Sequence, residues 1–579
     1  MTQLVGSALQ HHRWILFVVA ILWQPALDAC AQPAPEGFNV KSLVSTNAPP
    51  IQTTNAATTS NTTGPVFAPA PAIELPKFNV PVAAPTPDAI IQRLPPTVED
   101  HQSQNWKSLS IDEAVLMALD NNKYLRALSF RTPLWQTRID EAAAIFDPIF
   151  EAGGIYESDR SQLTSQITAA GTGALRQTTE TFTPPPEFGD NISWSKRYGN
   201  GTTLQFNYNG QFERLDPAGD FRLVNPAWRS GLSIGINKPL LRGAGLTANH
   251  AKINIAAQFY QRAAFDIQQA MNFLARTVRR AYWDLEYATR MQQILRTASD
   301  RVAETYQNEE KRYKIGASDR AKVAQARELQ ERFRILELDS RQSIVEKERR
   351  LRQLIGIYGF DGEKFVVTGD TNEEPLMDWD AAVSIALNSR PDVAAQRAHI
   401  EAFRHEVALR ENERLPNLSV VGRASLGGLD NDWPGSVGET FTGNNHGYMV
   451  GMVYRRRVNM QKENALLRRA QLNVAQQQAY LDQLEFDITH EMQRAYQSLV
   501  TFRQRREMQT SRLSAANERL AASEKQYRSR KLGNLDYLLR AQEAQTNAEL
   551  SLARAIADYR KAIEEWDYQR GVILARWCN

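Results

Sequence analysis

Few side chains in this 579-residue chain are spaced to do chemistry. Two cysteines, Cys30 and Cys578, are too few for a disulfide framework or a four-cysteine zinc site. Among the eight histidines, His399 and His405 stand six apart, whereas a metal pair on one helical face needs a spacing of four. No nucleophile sits in a recognisable pattern with a base, and no phosphate loop or paired acid group stands out. Catalysis, a cofactor and a metal are therefore not expected. The 68 basic and 65 acidic residues leave a net charge of +3, which gives no basic surface for nucleic acid. The residues left with a chemical reading are Cys30, near the start, and Asp319 and Asp536, each three residues past a glycine that interrupts a helical pattern.

Cys30 takes its reading from the segment before it. His11, His12 and Arg13 form a weakly basic start, and Trp14 to Trp23 is an apolar run. About ten apolar residues are too short to span a bilayer but suit an export signal. Ala29-Cys30-Ala31 fits cleavage after Ala31; Leu27-Asp28-Ala29-Cys30 fits a lipobox, with Cys30 as a lipidated N-terminus. Residues 1–31 thus read as a signal peptide, and either processing carries the mature chain out of the cytoplasm. Residues 32–105 hold about half of the 26 prolines, among many Ala, Thr and Asn. Such a segment buries too little apolar surface to offset its ordering entropy and reads as a disordered linker.

The elements that would position Asp319 and Asp536 are helices of unusual length. From Ala251 to Tyr313, apolar residues fall at Ile253, Ala257, Tyr260, Ala264, Ile267, Met271, Leu274, Val278, Ala281, Leu285 and Ala288. The alternating spacing of four and three makes one stripe on one helix. A helix of about 60 to 70 residues spans on the order of 100 Å. The stripe returns at Leu467, Val474, Leu481, Ile488, Ala495 and Phe502. The last helix repeats Leu538, Gln545, Leu552, Tyr559 and Trp566, with Ala541, Ala548, Ala555 and Ala562 between them. Gln477 and Gln545 at seam positions either face water in a bore or set register.

Two ordered echoes make the chain a tandem duplication. DEAVLMALDNN from Asp112 matches DAAVSIALNSRPD from Asp380, and Ser110 with Glu113 forms a capping box before the first of them. Further on, Gly316-x-x-Asp319-x-x-x-x-Ala324-Gln325 matches Gly533-x-x-Asp536-x-x-x-x-Ala541-Gln542. These read as tight turns between helices, with Ser318 and Asn534 as candidate N-caps. The halves run 106–360 and 377–579, with 361–376 as a linker. Each reads helix, β hairpin, long helix, turn, helix, and one helix is expected over about 110 to 145.

The strand candidates are Phe146 to Tyr156, Asn191 to Trp194, Thr202 to Phe212 and Trp228 to Ile236, then Asn417 to Ser425 and Tyr448 to Tyr454. Thr203 to Tyr208 alternates cleanly, and Asn200-Gly201 signals a hairpin turn. Ser161 to Asp190 is expected as an outer loop within a region long enough for an extra external hairpin, and Gly427 to Gly447 as a loop. About four to six strands cannot close a membrane barrel, which needs at least about eight, and an open edge cannot sit in lipid. Strands that enter a membrane must therefore share one barrel with other copies. Aromatics such as Tyr156, Trp194, Phe206, Tyr208, Trp228 and Tyr454 suit interfacial girdles, or the packing of a small soluble sheet on the helices.

On the paired SLSIDEAVLMALDNN and WDAAVSIALNSRPDV openings, the turns RYKIGASDRAKVAQA and SRKLGNLDYLLRAQEA, and the strand exit NKPLLRGAG, the chain resembles the TolC-like outer membrane efflux proteins over about residues 106 to 575. The resemblance implies a mainly α fold with a membrane β-barrel portion: a homotrimer whose three chains build one 12-stranded barrel in outer-membrane lipid and one α-helical periplasmic tunnel. It implies a passive conduit of a tripartite efflux or type I secretion system. Lys314, Ile315 and Gly316, with Lys531, Leu532 and Gly533, would be the tips that dock a periplasmic adaptor joined to an inner-membrane pump. Export channels of the family narrow the tunnel with carboxylates just past the second turn; the aligned positions here are Tyr537 and Arg540, so the constriction falls to them, or to Asp319 and Asp536, whose other reading is helix capping. The second strand exit, YRRRVNMQKEN, lacks the proline that Pro239 supplies in the first, and Arg455, Arg456 and Arg457 mark the periplasmic rim or line the lumen. The competing reading is a non-channel periplasmic coiled-coil spacer.

Overall fold

The computed structural model describes residues 106–163, 173–187, 189–218, 223–357, 364–367, 378–529 and 535–574. The signal segment with Cys30, the proline-rich linker, and the second tip with Lys531, Leu532, Gly533 and Asn534 lie outside them.

The long amphipathic stripes become two continuous helices. α4 runs Leu246–Lys314 over 69 residues. Its counterpart α9 runs Gln461–Arg528 over 68. Each turns back into a helix of half its length, α5 (Arg320–Ile355) after α4 and α10 (Leu535–Gln569) after α9. The duplication extends to the openings. α1 (Ile111–Asn121) matches α6 (Trp379–Ser389), and α2 (Lys123–Ser129) with α3 (Arg131–Ala143) matches α7 (Pro391–Glu413).

The single helix expected over 110 to 145 is thus three segments and a closing 3-10 turn. Asn122 causes the first break. Its backbone leaves the helix at ψ 117° and its carboxamide oxygen accepts from the N–H groups of Tyr124 and Leu125, so it ends α1 and caps α2. Pro391 does the same work at the matching place by occupying the first position of α7, where a missing N–H costs nothing. The capping box forms as expected, with Glu113 N–H donating to Ser110 Oγ at 3.1 Å and Ser110 N–H to Glu113 Oε2 at 3.0 Å.

The alanines of both openings exist for packing. Ala114, Val115 and Ala118 join Val278, Tyr282, Trp283, Leu285 and Leu351 in one core, and Ala382 and Ala386 join Met492, Leu499, Tyr559 and Trp566 in its counterpart. A short strand β1 (Trp106–Leu109) closes the first core, paired in parallel with β8 (Lys364–Val367), and Leu109 accepts the Tyr282 hydroxyl. The alanine seam of α10 is buried throughout. Gln545 lies inside it and accepts from Arg301 at 2.8 Å, while Gln477 accepts from Gln396 across the α7–α9 contact. Both seam glutamines therefore bond between helices.

The remaining strands form one sheet: β2 (Ile149–Ala152), β3 (Ile155–Gln162), β4 (Arg176–Thr183), β5 (Ile192–Arg197), β6 (Thr203–Asp216), β7 (Ala227–Pro239), β9 (Asn417–Asp430) and β10 (Asn445–Arg455). The order is β10-β9-β7-β6; beyond β6, β5 covers its first half and β4 its second, and β2 and β3 follow in the same way. Asn200-Gly201 makes the expected turn, with Gly201 at φ +88°. Two loop expectations are corrected. β4 occupies the middle of the expected outer loop, and a helix α8 (Trp433–Thr442) lies between β9 and β10, held at its start by the Asp432 carboxylate. Among the described residues no helix is long and apolar enough to cross a membrane.

Candidate functional site: a two-faced sheet and a helical tip

Strand register sorts the sheet's side chains onto two faces, because successive residues point to opposite sides. One row runs Phe150, Trp194, Phe206, Ile234, Ala424, Tyr448 across the whole sheet. The next row, on the opposite face, runs Glu151, Ser193, Asn207, Ser233, Ser425, Gly447. The apolar face extends from the paired rings of Phe212 and Trp228, 4.7 Å apart, to Met452 and Tyr454. At about 3.3 Å per residue and a tilt of about 40°, this covers on the order of 30 Å, the thickness of a bilayer core. The other face is polar, with Gln205, Asn209, Gln211 and Arg423. A soluble sheet packed on helices would bury the apolar face. Here Ile234, Phe206 and Tyr448 remain 44%, 44% and 85% exposed.

Helix α8 lies on that apolar face and is inverted. Ser436 and Thr440 point down onto the sheet, Ser436 sharing a 2.7 Å hydrogen bond with Ser230 and Thr440 donating to the Ser230 carbonyl. Gly428 makes the seat, since a Cβ there would meet the Ser436 carbonyl at 2.0 Å. Phe441 is left exposed, and Trp433, half exposed, reaches over the sheet to donate its indole N–H to the Tyr208 hydroxyl at 2.8 Å. A helix in water buries its apolar side; this one buries its hydroxyls, as a helix facing lipid does. The sequence reading missed α8, although Asp432 before Trp433-Pro434 is a helix-start signal.

At the strand-to-helix exits, the side chain of Asn249 gathers the first exit. It donates to the carbonyls of Gly243 and Gly245 and accepts from Arg197. In the second exit β10 ends at Arg455 and Arg457 pairs with Glu463 at 3.0 Å, so the arginines stand where the sheet meets α9.

At the far end of α4 lies the first tip. Lys314, Ile315 and Gly316 make the turn, Gly316 at φ +72°, and Ile315 is 75% exposed. Asp319, not Ser318, is the N-cap of α5, and the Lys322 N–H bond holds its carboxyl below the usual range. Ser318 donates instead to Glu309, the centre of a cluster that the sequence reading missed. Glu309 is buried and accepts from Ser318 at 2.6 Å, from Arg312 at 3.0 Å and from the Tyr527 hydroxyl, which ties α4 to α9. Burial, and then the bond to Glu309, push the Tyr527 phenol up to about 12. The signal was present: Leu295, Ala298, Val302, Thr305 and Glu309 continue the stripe, so a carboxylate occupies a seam position.

Past the second tip, Asp536 accepts from Gln325 of α5 at 2.9 Å and pairs with Arg540 at 2.8 Å. Tyr537 and Arg540 continue along α10 with Asn547 and Arg554 as its exposed stripe, the other sides being packed or partly covered.

His399 and His405 form no metal pair, and the described residues hold no group of three potential ligands. His399 lies between Phe259 and Phe403, and burial, then Arg262, lower its pKa from 6.5 to about 4. The unfolded chain thus takes up a proton that the folded chain refuses, so this contribution is intact above about pH 6.5 and is lost as pH falls towards 4. Acid melting of the wild type and of His399→Phe checks this: the variant should lose less stability between pH 6.5 and pH 4.

The family described as outer membrane efflux protein matches residues 232–357 and 382–565, more than half of the chain. The chain belongs to that family, and the protein is an outer-membrane protein of the efflux-channel class. No curated protein matches it. Among solved structures the fold is similar to the outer-membrane channel OprN, at 15% identity and TM-score 0.56, over 81% of this chain and 93% of that one. It is also similar to VceC of Vibrio cholerae, at 16% identity and TM-score 0.53, over 83% and 99% of the two chains. The CmeC channel of Campylobacter jejuni matches at 15% identity and TM-score 0.53, over 83% and 89%.

Proposed function

We propose that the protein is the outer-membrane channel-tunnel of a tripartite efflux or type I secretion system, working as a homotrimer. The observation that carries this is the two-faced sheet with open edges. An apolar face of bilayer thickness, opposite a polar one, suits lipid outside and water inside. Free strand edges cannot remain in lipid, so several copies must close the ring. The long helices then extend into the periplasm. Lys314, Ile315 and Gly316, together with Lys531, Leu532 and Gly533, form the surface for an adaptor protein, through which an inner-membrane pump delivers substrate.

The test is the mass of the mature protein extracted from outer membranes in mild detergent. A trimer with mixed α and β circular dichroism is expected, and the same mass shows whether Cys30 carries acyl chains. A water-soluble monomer with only helical signal would leave the periplasmic spacer as the reading.

The constriction of the closed tunnel is assigned to Tyr537 and Arg540. Both stand on the exposed stripe of α10, Arg540 exposed while its guanidinium pairs with Asp536, whereas Asp319 caps a helix and Asp536 is less exposed and also bonded to Gln325 of α5. Single-channel recording should show a higher closed-state conductance in Arg540→Ala. Unchanged conductance would reject a cationic constriction.

A further inference from the structure

The sheet is six strand positions wide, and we infer that all six enter the barrel wall, so that three copies close a ring of 18 strands through direct pairing of β10 with β2 and β3 of the next copy. The trimeric channel reading is its basis; the strand count is new, since the resemblance implied four strands per chain and 12 in the ring.

Three observations carry it. The first is row continuity. The apolar row that begins at Tyr448 on β10 does not stop at Phe206 on β6 but continues through Trp194 on β5 to Phe150 on β2. The polar row on the other face continues equally to Ser193 and Glu151. An extra hairpin folded away from the wall would have no reason to keep an apolar side in line with the lipid face and a polar side in line with the lumen.

The second is the length and sense of the two edges. β10 has 11 residues and pairs only with β9 among the described strands. β2 and β3 offer 4 and 8 residues in line on the other edge, separated by Gly153-Gly154. β10 runs towards the helices and β2–β3 run away from them, so neighbouring copies meet antiparallel, the arrangement outer-membrane barrels use.

The third is the nature of these edges. β10 reads NHGYMVGMVYR: it is long and apolar on its lipid side, without proline. Soluble proteins blunt such edges, and an unblunted one is a pairing surface. β6 cannot be the alternative partner, because β5 and β4 already cover its free side.

Barrel diameter grows roughly linearly with strand number, so 18 strands in place of 12 make a ring about half as wide again, in the size range of water-filled porins. The outer-membrane end would then pass cargo of about twice the cross-section, leaving size selection to the helical end.

Disulfide trapping tests the closure. In a Cys578→Ser background, with Cys30 removed by cleavage or blocked by acylation, single cysteines at Met449, Gly451 or Val453 on the lumen face of β10 are combined with Glu151→Cys on β2 or Glu157→Cys on β3. All these sites are exposed or nearly so in the single chain. Covalent dimers and trimers on denaturing gels are expected from at least one combination. Gln205→Cys and Asn207→Cys on β6, combined with the same β10 positions, should give none. Trapping of β10 to β6 without β2 or β3 would overturn the inference and place the extra hairpin outside the wall. Detergent mass, read on the same samples, separates the two readings: a trimer that traps through β6 sinks only the strand count, whereas a monomer sinks the channel reading itself. Each single-cysteine protein recovered in the outer-membrane fraction as trimer serves as its folding control.

Discussion

Glu564→Ala is expected to lower stability by about 3–5 kcal/mol, because it takes the nearest carboxylate from a buried guanidinium. Arg279 and Glu564 meet at 2.7 Å with side-chain exposures of 6% and 7%. Glu564 also accepts from the Trp283 indole N–H at 3.3 Å, so the one carboxylate holds two residues in the core where α4, α10 and the first opening meet. Alanine leaves both donors behind. The other carboxylate near Arg279, Asp112 at 3.4 Å, is 57% exposed and attracts through a wetter medium. Asp112→Asn should therefore cost no more than about 1 kcal/mol. Replacing both partners at once, with Arg279→Met and Glu564→Leu, should restore most of the loss, since the apolar pair needs no desolvation. Thermal melting of the detergent-solubilised proteins, followed by helical circular dichroism, checks all three. A Glu564→Ala protein that melts with the wild type would show that solvent reaches Arg279.

The same core explains what the sequence revealed. A stripe repeated over many turns has many chances to declare its period, so α4 was legible to within a few residues of its ends, and α9 was legible as a second long helix from its stripe between Leu467 and Phe502. β6 was legible because lipid and lumen sort Leu204, Phe206 and Tyr208 from Gln205, Asn207 and Asn209. β4 was not, because RQTTETFT lies largely beyond the Phe182–Phe212 row, where both faces are polar and alternation has nothing to report. α8 was hidden for a different reason. Its buried residues are the hydroxyl-bearing Ser436 and Thr440 while Phe441 stays exposed, so a pattern read for a water-soluble helix looks like a glycine-rich loop. The breaks at Asn122 and Arg390 were hidden because capping and helix continuation use the same residues until tertiary contact chooses; Asn122 Nδ2 donates to the Leu354 carbonyl at the end of α5, and Arg390 to Gln569. The first tip was legible as a glycine turn. Its internal bonds were not, since pairing Glu309 with Tyr527 crosses 218 residues.

Ile234→Arg should abolish stable insertion, while Ser233→Arg should be tolerated, although the two residues are adjacent. Ile234 lies near the middle of the apolar face, midway along the strand between the Trp228 ring and Leu240, which bonds to Leu418 below Met452. A charge at that depth on the lipid side costs about 2–4 kcal/mol in each copy, and three copies would carry it together. Ser233 points to the polar side, beside Asn207 and Ser425, where water solvates a guanidinium at little cost. The introduced charge and its chain position are nearly matched between the variants, so a difference well beyond the loss of one isoleucine side chain reads the face. Outer-membrane recovery and resistance of the detergent-solubilised protein to heat dissociation give the readout. If both arginines are tolerated, the apolar face does not meet lipid. If both are rejected, the sheet is packed on its two sides, and a water-filled lumen has no wall to line.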